Sequence, residues 1–420
     1  MLLKTILNYT LDFKSFVFKS CNFVKPSGKR KRPEIEIEVV RRKGSKAICS
    51  CCNKKSPGYD TLPSRRFEHI PIWGILVFFI YAPQRVDCPR CGVKVEALPW
   101  GNGKRYLTNQ YARFLAHWAK RLSWKEVAEA FHTSWHNVFI SCRLAVEWGR
   151  KHMNLDNIHS IGIDEVLWHR GKKFITVVYQ IDTHCKRLLW LGVGRTKKTV
   201  RDFFGWLGVE KTADLKYVCS DLLQSYLKVV KEKAPDVTHV LDRFHTVAMI
   251  HKAIEKVRAG EARKLKAEGE KPLLKKTRWV ILKKPENLTQ KQGERLATLL
   301  KQNLKTVKCY LLKEDFKRLW DYVSPYWTGR FIDRWTRKVM YSRIEPMKKT
   351  ARTIREYKPL ILNYFKAKKT ISQGVVEGFN NKLKLTFKRS YGFRTFKATE
   401  IQLYHTLGNL PCPEDTHNFF

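Results

Sequence analysis

The chain has 420 residues and carries 82 Lys and Arg against 38 Asp and Glu, so its formal net charge is +44. A hydrophobic fraction of 43%, with 12% aromatic residues, excludes a disordered basic tail and assigns this charge to folded domains. So large an excess of positive charge is self-repelling, which predicts a polyanionic partner: nucleic acid first, an anionic membrane surface second. A basic surface that is only solvated fits a smaller excess better.

No segment predicts a membrane span or a secretory signal. The longest apolar run, residues 71–83, is shorter than the ~20 residues that a spanning helix needs. The first residues interrupt their apolar positions with Lys4, Asp12 and Lys14, so they lack the continuous apolar segment of a signal peptide. We therefore expect a reduced, cytoplasmic protein with no membrane partner, in which the 11 cysteines do not form disulfides.

The first elements along the chain are a strand at 35–40, within an amino-terminal segment of residues 1–47, and a cysteine-rich region of residues 48–100. Cys49 with Cys52 and Cys88 with Cys91 form two Cys-x2-Cys pairs, and four thiolates complete a tetrahedral structural zinc site. A glycine after the second pair permits its tight turn. Cys51 leaves the first pair in two registers, and isolated buried thiols remain the alternative.

Residues 101–152 predict helices. Ser123 and Glu126 form a capping box, and the apolar residues that follow lie on one helical face. A turn at 132–134 leads to Ser134, which can cap a second helix whose inward residues are Val138, Phe139, Cys142 and Val146. This spacing is that of a helix-turn-helix, and the basic composition favours DNA binding over an ordinary helical hairpin.

Residues 155–250 alternate short apolar runs with helical patterns, which is typical of an α/β sheet. Acidic residues lie in or directly after the predicted strands: Asp164, Asp221 and Asp242, the last followed by His245. A carboxylate in a buried strand is costly unless it is paired or bound to a cation, and Mg²⁺ prefers oxygen ligands. The period of two puts Glu165 on the opposite strand face from Asp164, which predicts a structural role for Glu165.

Residues 251–365 are rich in Lys and Arg and predict helices. In the helix after them, one face is polar and consists of Glu377, Asn380, Asn381, Lys384 and Lys388. The opposite, apolar stripe consists of Val375, Phe379, Leu383 and Phe387. A solvated face of an amphipathic helix would look the same, but Asp164 and Asp221 supply two partners for the same metal centre.

The order of these motifs resembles the ISL-three family of insertion-sequence transposases over nearly the whole chain. The most specific parts are residues 161–165, 242–245, and 377–381 with 391–394. The resemblance implies a multidomain α/β protein: a zinc-ribbon-like domain (48–100), a helix-turn-helix domain (101–152), and an RNase H-like DDE core (155–250 and 366–410) interrupted by a helical insertion (251–365).

In that family the implied triad is Asp164, Asp221 and Glu377, holding two Mg²⁺ ions for which Mn²⁺ can substitute. Asp164 then bridges both ions, and the reaction is phosphoryl transfer without a covalent protein–DNA intermediate. Asp242, His245, Asn380 and Asn381 either position the substrate and support the ligands or only pack. The residues expected to bind phosphates are Lys382, Lys384, Lys388, Arg389 and Arg394.

The resemblance also implies the partners. They are double-stranded DNA, as terminal inverted repeats and as target, and further copies of the chain, because such enzymes act as dimers or higher oligomers on paired DNA ends. In a prokaryote the protein would be associated with the nucleoid.

Two other functions stay open at this point. A non-catalytic zinc and helix-turn-helix regulator on a decayed core predicts the loss of one of the three acids, and all three are present. Another RNase H-like nuclease, acting on RNA or on junctions, would not need two DNA-reading modules before its core.

Overall fold

The computed structural model describes residues 3–11, 13–26, 32–101, 103–169, 173–241, 243–270, 272–368, 374–390 and 392–413. Asp242 and Tyr391 therefore lie outside the described residues, as do residues 29–31, part of the basic run Lys29 to Arg32 before the predicted strand at 35–40. The chain divides into two compact units, residues 1–153 with 385–420 and residues 154–384. Among the helices of the described ranges, none combines the length and the apolar character needed to cross a membrane.

The strands of the first unit are short and form three sheets. They are β1 (Phe16–Val24), β2 (Glu34–Arg41), β3 (Ala47–Ile48), β4 (Lys55–Ser56), β5 (Gly58–Thr61), β6 (Arg65–Ile72), β7 (Ile75–Tyr81), β8 (Gln84–Cys88) and β9 (Gly92–Val95). The largest sheet has the order β1-β2-β7-β6 over a core that contains Phe67, Phe79 and Trp100. Because β2 pairs in parallel with β7, this sheet crosses the boundary drawn from sequence at residue 47. The other predicted domain boundaries stay predictions.

The helices of this unit are α1 (Leu3–Thr10), α2 (Asn109–Trp118), α3 (Trp124–Ala130), α4 (Trp135–Lys151) and, after the second unit, α16 (Phe396–Leu407). The predicted capping box at the start of α3 is confirmed: the Glu126 backbone N–H donates to the Ser123 hydroxyl, and the Ser123 N–H donates to the Glu126 carboxylate at 2.7 Å. The Ser134 hydroxyl caps α4 by accepting from the Asn137 backbone N–H. Val138 and Cys142 are buried, whereas Phe139 is only partly buried.

The second unit is built on a five-stranded sheet with helices around it, which confirms the predicted mixed α/β class of the chain. Its strands are β10 (Ser160–His169), β11 (Lys173–Ile181), β12 (Lys186–Val193), β13 (Tyr217–Ser220) and β14 (Thr238–Leu241). The order is β12-β11-β10-β13-β14. The first three strands are antiparallel, and β13 and β14 run parallel to β10.

Helices cover one face of this sheet through a buried apolar cluster. They are α5 (Lys197–Leu207) and α7 (Gln224–Lys233); the short α6 (Val209–Ala213) lies between them in the chain. Ile161 and Ile163 of β10 pack in the same cluster as Tyr226 of α7. Because side chains alternate along a strand, every second residue of β10 faces α7. Glu165 therefore faces the same side as Ile161 and Ile163.

A long helical stretch follows the sheet. It comprises α8 (Arg243–Ala267), α9 (Arg278–Leu282), α10 (Gln290–Leu300), α11 (Lys305–Lys317), α12 (Pro325–Met340), α13 (Glu345–Glu356) and α14 (Lys358–Lys366), with short 3-10 helices at Pro285–Asn287 and Arg318–Asp321. α8 begins directly beyond β14, before the predicted start of the insertion at residue 251. α14 returns to the sheet, where Asn363 donates a hydrogen bond to the His239 carbonyl at 2.8 Å.

The last helix of the second unit, α15 (Gly374–Arg389), lies close against the other face of β10. A Cβ atom placed on Gly162 would collide with Val376 Cγ2, so this strand position requires a glycine for the close approach of the helix. Asp164 lies two residues farther along β10 and therefore faces α15 as Gly162 does. The contact at Gly162 thus sets the distance between α15 and the first acidic strand.

We predict that Gly162→Ala lowers the free energy of unfolding by about 1–3 kcal/mol, because the added methyl overpacks the contact with Val376. The matched control is Gly205→Ala in α5, where an added Cβ meets nothing within 4 Å and should be neutral or stabilising. Urea unfolding of both variants measures the difference. Equal stabilities would contradict the proposed packing role of Gly162.

Candidate functional site

The first candidate site is a cluster of four cysteines. The sulfur atoms of Cys49, Cys52, Cys88 and Cys91 all lie within 4.8 Å of one another. Cys52 Sγ and Cys88 Sγ are 3.5 Å apart. Tetrahedral Zn–S bonds of about 2.3 Å require sulfur–sulfur distances of about 3.8 Å, so the donor set and its spacing fit zinc.

Two hairpins position these thiols. Cys49 follows β3, which pairs with β4, and the second pair joins β8 to β9. The Cys91 N–H donates to the Cys88 carbonyl, and Gly92 has a φ of +68°, the conformation that favours glycine. Cys51 is exposed and is not a member of the group, so the structure favours Cys49 and Cys52 as the first pair.

The second candidate site is an acidic cluster at the end of β13. One carboxylate oxygen from each of Asp164, Glu165 and Asp221 lies within 4.8 Å of the others. The parallel pairing of β10 with β13 ends at Ile163 opposite Ser220. Because Asp221 comes directly after Ser220, it lies beside Asp164 of the neighbouring strand.

The acids of this cluster are desolvated and repel one another. Burial, reinforced by the negative charge of Asp221, raises the pKa of Asp164 to about 7. Burial and Asp221 also raise the pKa of Glu165. Carboxyl groups that are desolvated together in this way are stabilised in their ionised form by a bound cation. Three converging carboxylates therefore fit a divalent ion that prefers oxygen ligands, such as Mg²⁺.

Asn380 of α15 contacts this cluster directly. Its side-chain amide donates to Asp164 Oδ2 at 2.5 Å, and its carbonyl oxygen accepts from the Tyr179 hydroxyl at 3.0 Å. Only 7% of Asn380 is exposed, so this side chain does not lie on a solvated helix face, the alternative that the sequence left open for it. The helix is rotated so that Val376, Asn380 and Leu383 face inward.

The other predicted site residues occupy different surroundings. His245 Nε2 lies 2.5 Å from Asp221 Oδ1, so His245 belongs to the acidic site. Glu377 is exposed, and within the described ranges the close group consists of Asp164, Glu165 and Asp221 without it. Asn381 and the five predicted phosphate-binding residues are all exposed: Lys382, Lys384, Lys388, Arg389 and Arg394.

Glu165 is the member of the cluster that sequence reasoning did not assign to a metal site. The period of two correctly directs its Cβ away from Asp164, but its carboxylate lies beside the other two. The signal available in the sequence was its position directly after Asp164. The sequence did not show that β13 ends beside this position. Beyond that end the long Glu165 side chain can bend toward Asp221.

Comparison with known proteins identifies the family. The family model of the ISL3 (ISL-three) transposases, described as "Transposase", matches residues 161–403, which is more than half of the chain. This chain therefore belongs to the ISL3 transposase family. Membership makes it a DNA-processing enzyme by class, and the matched region contains the whole five-stranded sheet and its acidic cluster except for the first residue of β10.

Individual relatives agree with this family. The chain is 27% identical over 350 residues to the transposase for insertion sequence element IS1001 of Bordetella parapertussis, covering 83% of this chain and 85% of that relative. It is 29% identical over 400 residues to the transposase for insertion sequence element IS1557 of Mycobacterium tuberculosis, covering 88% of each chain.

We predict that Cys52→Ser removes most of the bound zinc from the purified protein, whereas Cys51→Ser leaves about one zinc per chain, because Cys51 lies outside the four-thiol group. Metal analysis of both variants gives the answer. Equal zinc contents in the two variants would contradict this ligand assignment, and absence of zinc from the unaltered protein would contradict the zinc site itself.

Proposed function

We propose that this chain is a DNA transposase that binds the terminal inverted repeats of its insertion sequence and cleaves and joins DNA by Mg²⁺-dependent phosphoryl transfer. The observation that carries the proposal is the meeting of Asp164, within β10, and Asp221, directly after β13, inside the family-matched region. The sheet order, with three antiparallel strands followed by two parallel ones, is consistent with an RNase H-like core.

The proposed triad is Asp164, Asp221 and Glu377. Two bound Mg²⁺ ions would supply activation of a water or a 3′-hydroxyl and stabilisation of the leaving oxygen. Asp164 is oriented by Asn380, whose side-chain amide donates to one of its oxygens. His245 contacts Asp221, and Glu377 lies on α15 one helical turn before Asn380, from where it would act as the third acid when DNA and metal are bound.

The amino-terminal unit is proposed to recognise the inverted repeats. Its four-cysteine cluster would be a structural zinc site, and α3 with α4 would be a helix-turn-helix. In such motifs the start of the second helix enters the major groove, and here Trp135 and His136 at the start of α4 are exposed. The net charge of +44 supports a DNA partner.

We predict that Asp164→Asn lowers the rate of Mg²⁺-dependent cleavage of the element's own ends by about 10³-fold or more, because it removes a ligand worth several kcal/mol in the transition state. Binding of the ends, measured by gel mobility shift, should persist. The control is Asp202→Asn on the exposed surface of α5. Retained cleavage by Asp164→Asn would refute the proposed site.

We also predict that Lys382→Ala and Lys384→Ala each reduce the slope of log affinity against log salt concentration by about one, because each removes a charge that neutralises one phosphate. The control is Lys211→Ala, since Lys211 already pairs with Asp156 at 2.6 Å. Fluorescence anisotropy with labelled end DNA at several salt concentrations measures the slopes. Slopes equal to that of the unaltered protein would exclude phosphate binding by these two lysines.

A further inference from the structure

We propose that Glu165 is a metal ligand, and that Asp164, Glu165 and Asp221 together bind the first divalent cation before DNA is present. This inference rests on the proposed function and extends it, because the triad of the resemblance does not include Glu165. It assigns to Glu165 a coordinating role in place of the structural role predicted from strand alternation.

The strand ends bring the Glu165 carboxylate to this position. β10 continues beyond its last pairing with β13, so no backbone of β13 lies beside residues 164 and 165. Asp221 occupies the space directly after β13. The Glu165 N–H donates to Asp164 Oδ1 at 2.7 Å, which draws the Asp164 carboxylate back along the strand toward Glu165.

The groups that hold Glu165 orient it without neutralising it. The Tyr226 hydroxyl acts to lower the pKa of Glu165, and Tyr226 is itself fully buried and 3.2 Å from Thr176 Oγ1. Arg195 Nη1 lies 3.5 Å from Glu165 Oε1, and 45% of the Arg195 side chain is exposed. An ion pair that long and that exposed contributes at most ~1 kcal/mol.

Tyr226 and Arg195 therefore lie on one side of the Glu165 carboxylate, and the negative charges of Asp164 and Asp221 lie on the other. A carboxylate with a purely structural role would be expected to have a close cationic partner, because burying an unpaired charge is costly. On its cluster side Glu165 lies within 4.8 Å of Asp164 and Asp221, and His245, which acts to lower the pKa of Glu165, lies 2.5 Å from Asp221 Oδ1. A cation among the three oxygens would supply the missing charge and take the ligand type it prefers.

Glu377 has a different position. It is exposed on α15 and is not a member of the close group, so the carboxylates of Asp164, Glu165 and Asp221 form a site that does not require it. Glu377 would then contribute once DNA and a second ion are bound. The consequence is a difference between metal affinity without DNA, which depends on Glu165, and catalysis, which depends on Glu377 as well.

The test is Mn²⁺ binding to the full-length protein in the absence of DNA, measured by electron paramagnetic resonance of the free ion. We expect Glu165→Gln to weaken the tightest site at least tenfold, and the exposed control Glu210→Gln to leave it unchanged. Glu165→Asp keeps the charge but shortens the side chain, so it should give an intermediate loss. Circular dichroism and thermal melting verify that each variant is folded.

Two results would overturn the inference: Mn²⁺ affinity unchanged in Glu165→Gln, or fully retained in Glu165→Asp, which would indicate an electrostatic role without coordination. A larger loss in Glu377→Gln than in Glu165→Gln would also overturn it. Asp164→Asn distinguishes this failure from that of the proposed function. If Asp164→Asn loses Mn²⁺ while Glu165→Gln does not, only the role of Glu165 is refuted; if Asp164→Asn binds Mn²⁺ normally, the proposed metal site itself is refuted.

Discussion

The acidic site depends on the parallel pairing of β10 with β13 and on the place where that pairing ends. Backbone hydrogen bonds fix Ile163 opposite Ser220, so Asp164, the next residue of β10, lies beside Asp221, the residue directly after β13. Desolvation at that edge raises the pKa of Asp164 to about 7. The sheet thus brings together carboxyl groups that repel one another, a cost that the stability of its apolar core offsets and that a bound cation would relieve.

The approach of α15 to the other face of β10 is the second constraint on this site. Gly162 has no side chain, which allows Val376 to pack against the strand. With the helix at that distance, Asn380 reaches Asp164 and is held in turn by the Tyr179 hydroxyl. The ring of Tyr179 also stacks on Phe379 with 4.8 Å between centroids. One oxygen of Asp164 is therefore oriented by a buried amide whose own position is fixed by packing.

The four-cysteine cluster shows a different relation between sequence and structure. The two Cys-x2-Cys pairs are local patterns, and the turn at Gly92 was readable from the glycine itself. The long interval between the pairs contains β5, β6 and β7, two of which belong to the largest sheet of that unit, so the return of the second pair to the first depends on strand pairing and not on a local pattern. The choice between Cys51 and Cys52 required the hairpin geometry, because the two residues are adjacent in the chain and either could pair with Cys49 in sequence.

The sequence by itself determined the features that depend on near neighbours in the chain: the cysteine pairs, the capping box at Ser123, the apolar strands, and the carboxylates at strand ends. The sequence also determined the family resemblance, because the order of the motifs can be recognised without knowledge of any contact. Only the tertiary structure decided the rotation of α15, which buries Asn380, and the position of the Glu165 carboxylate beside Asp221. The physical reason is that both depend on where a distant segment stops or packs: the end of β13 for Glu165, and the glycine of β10 for α15.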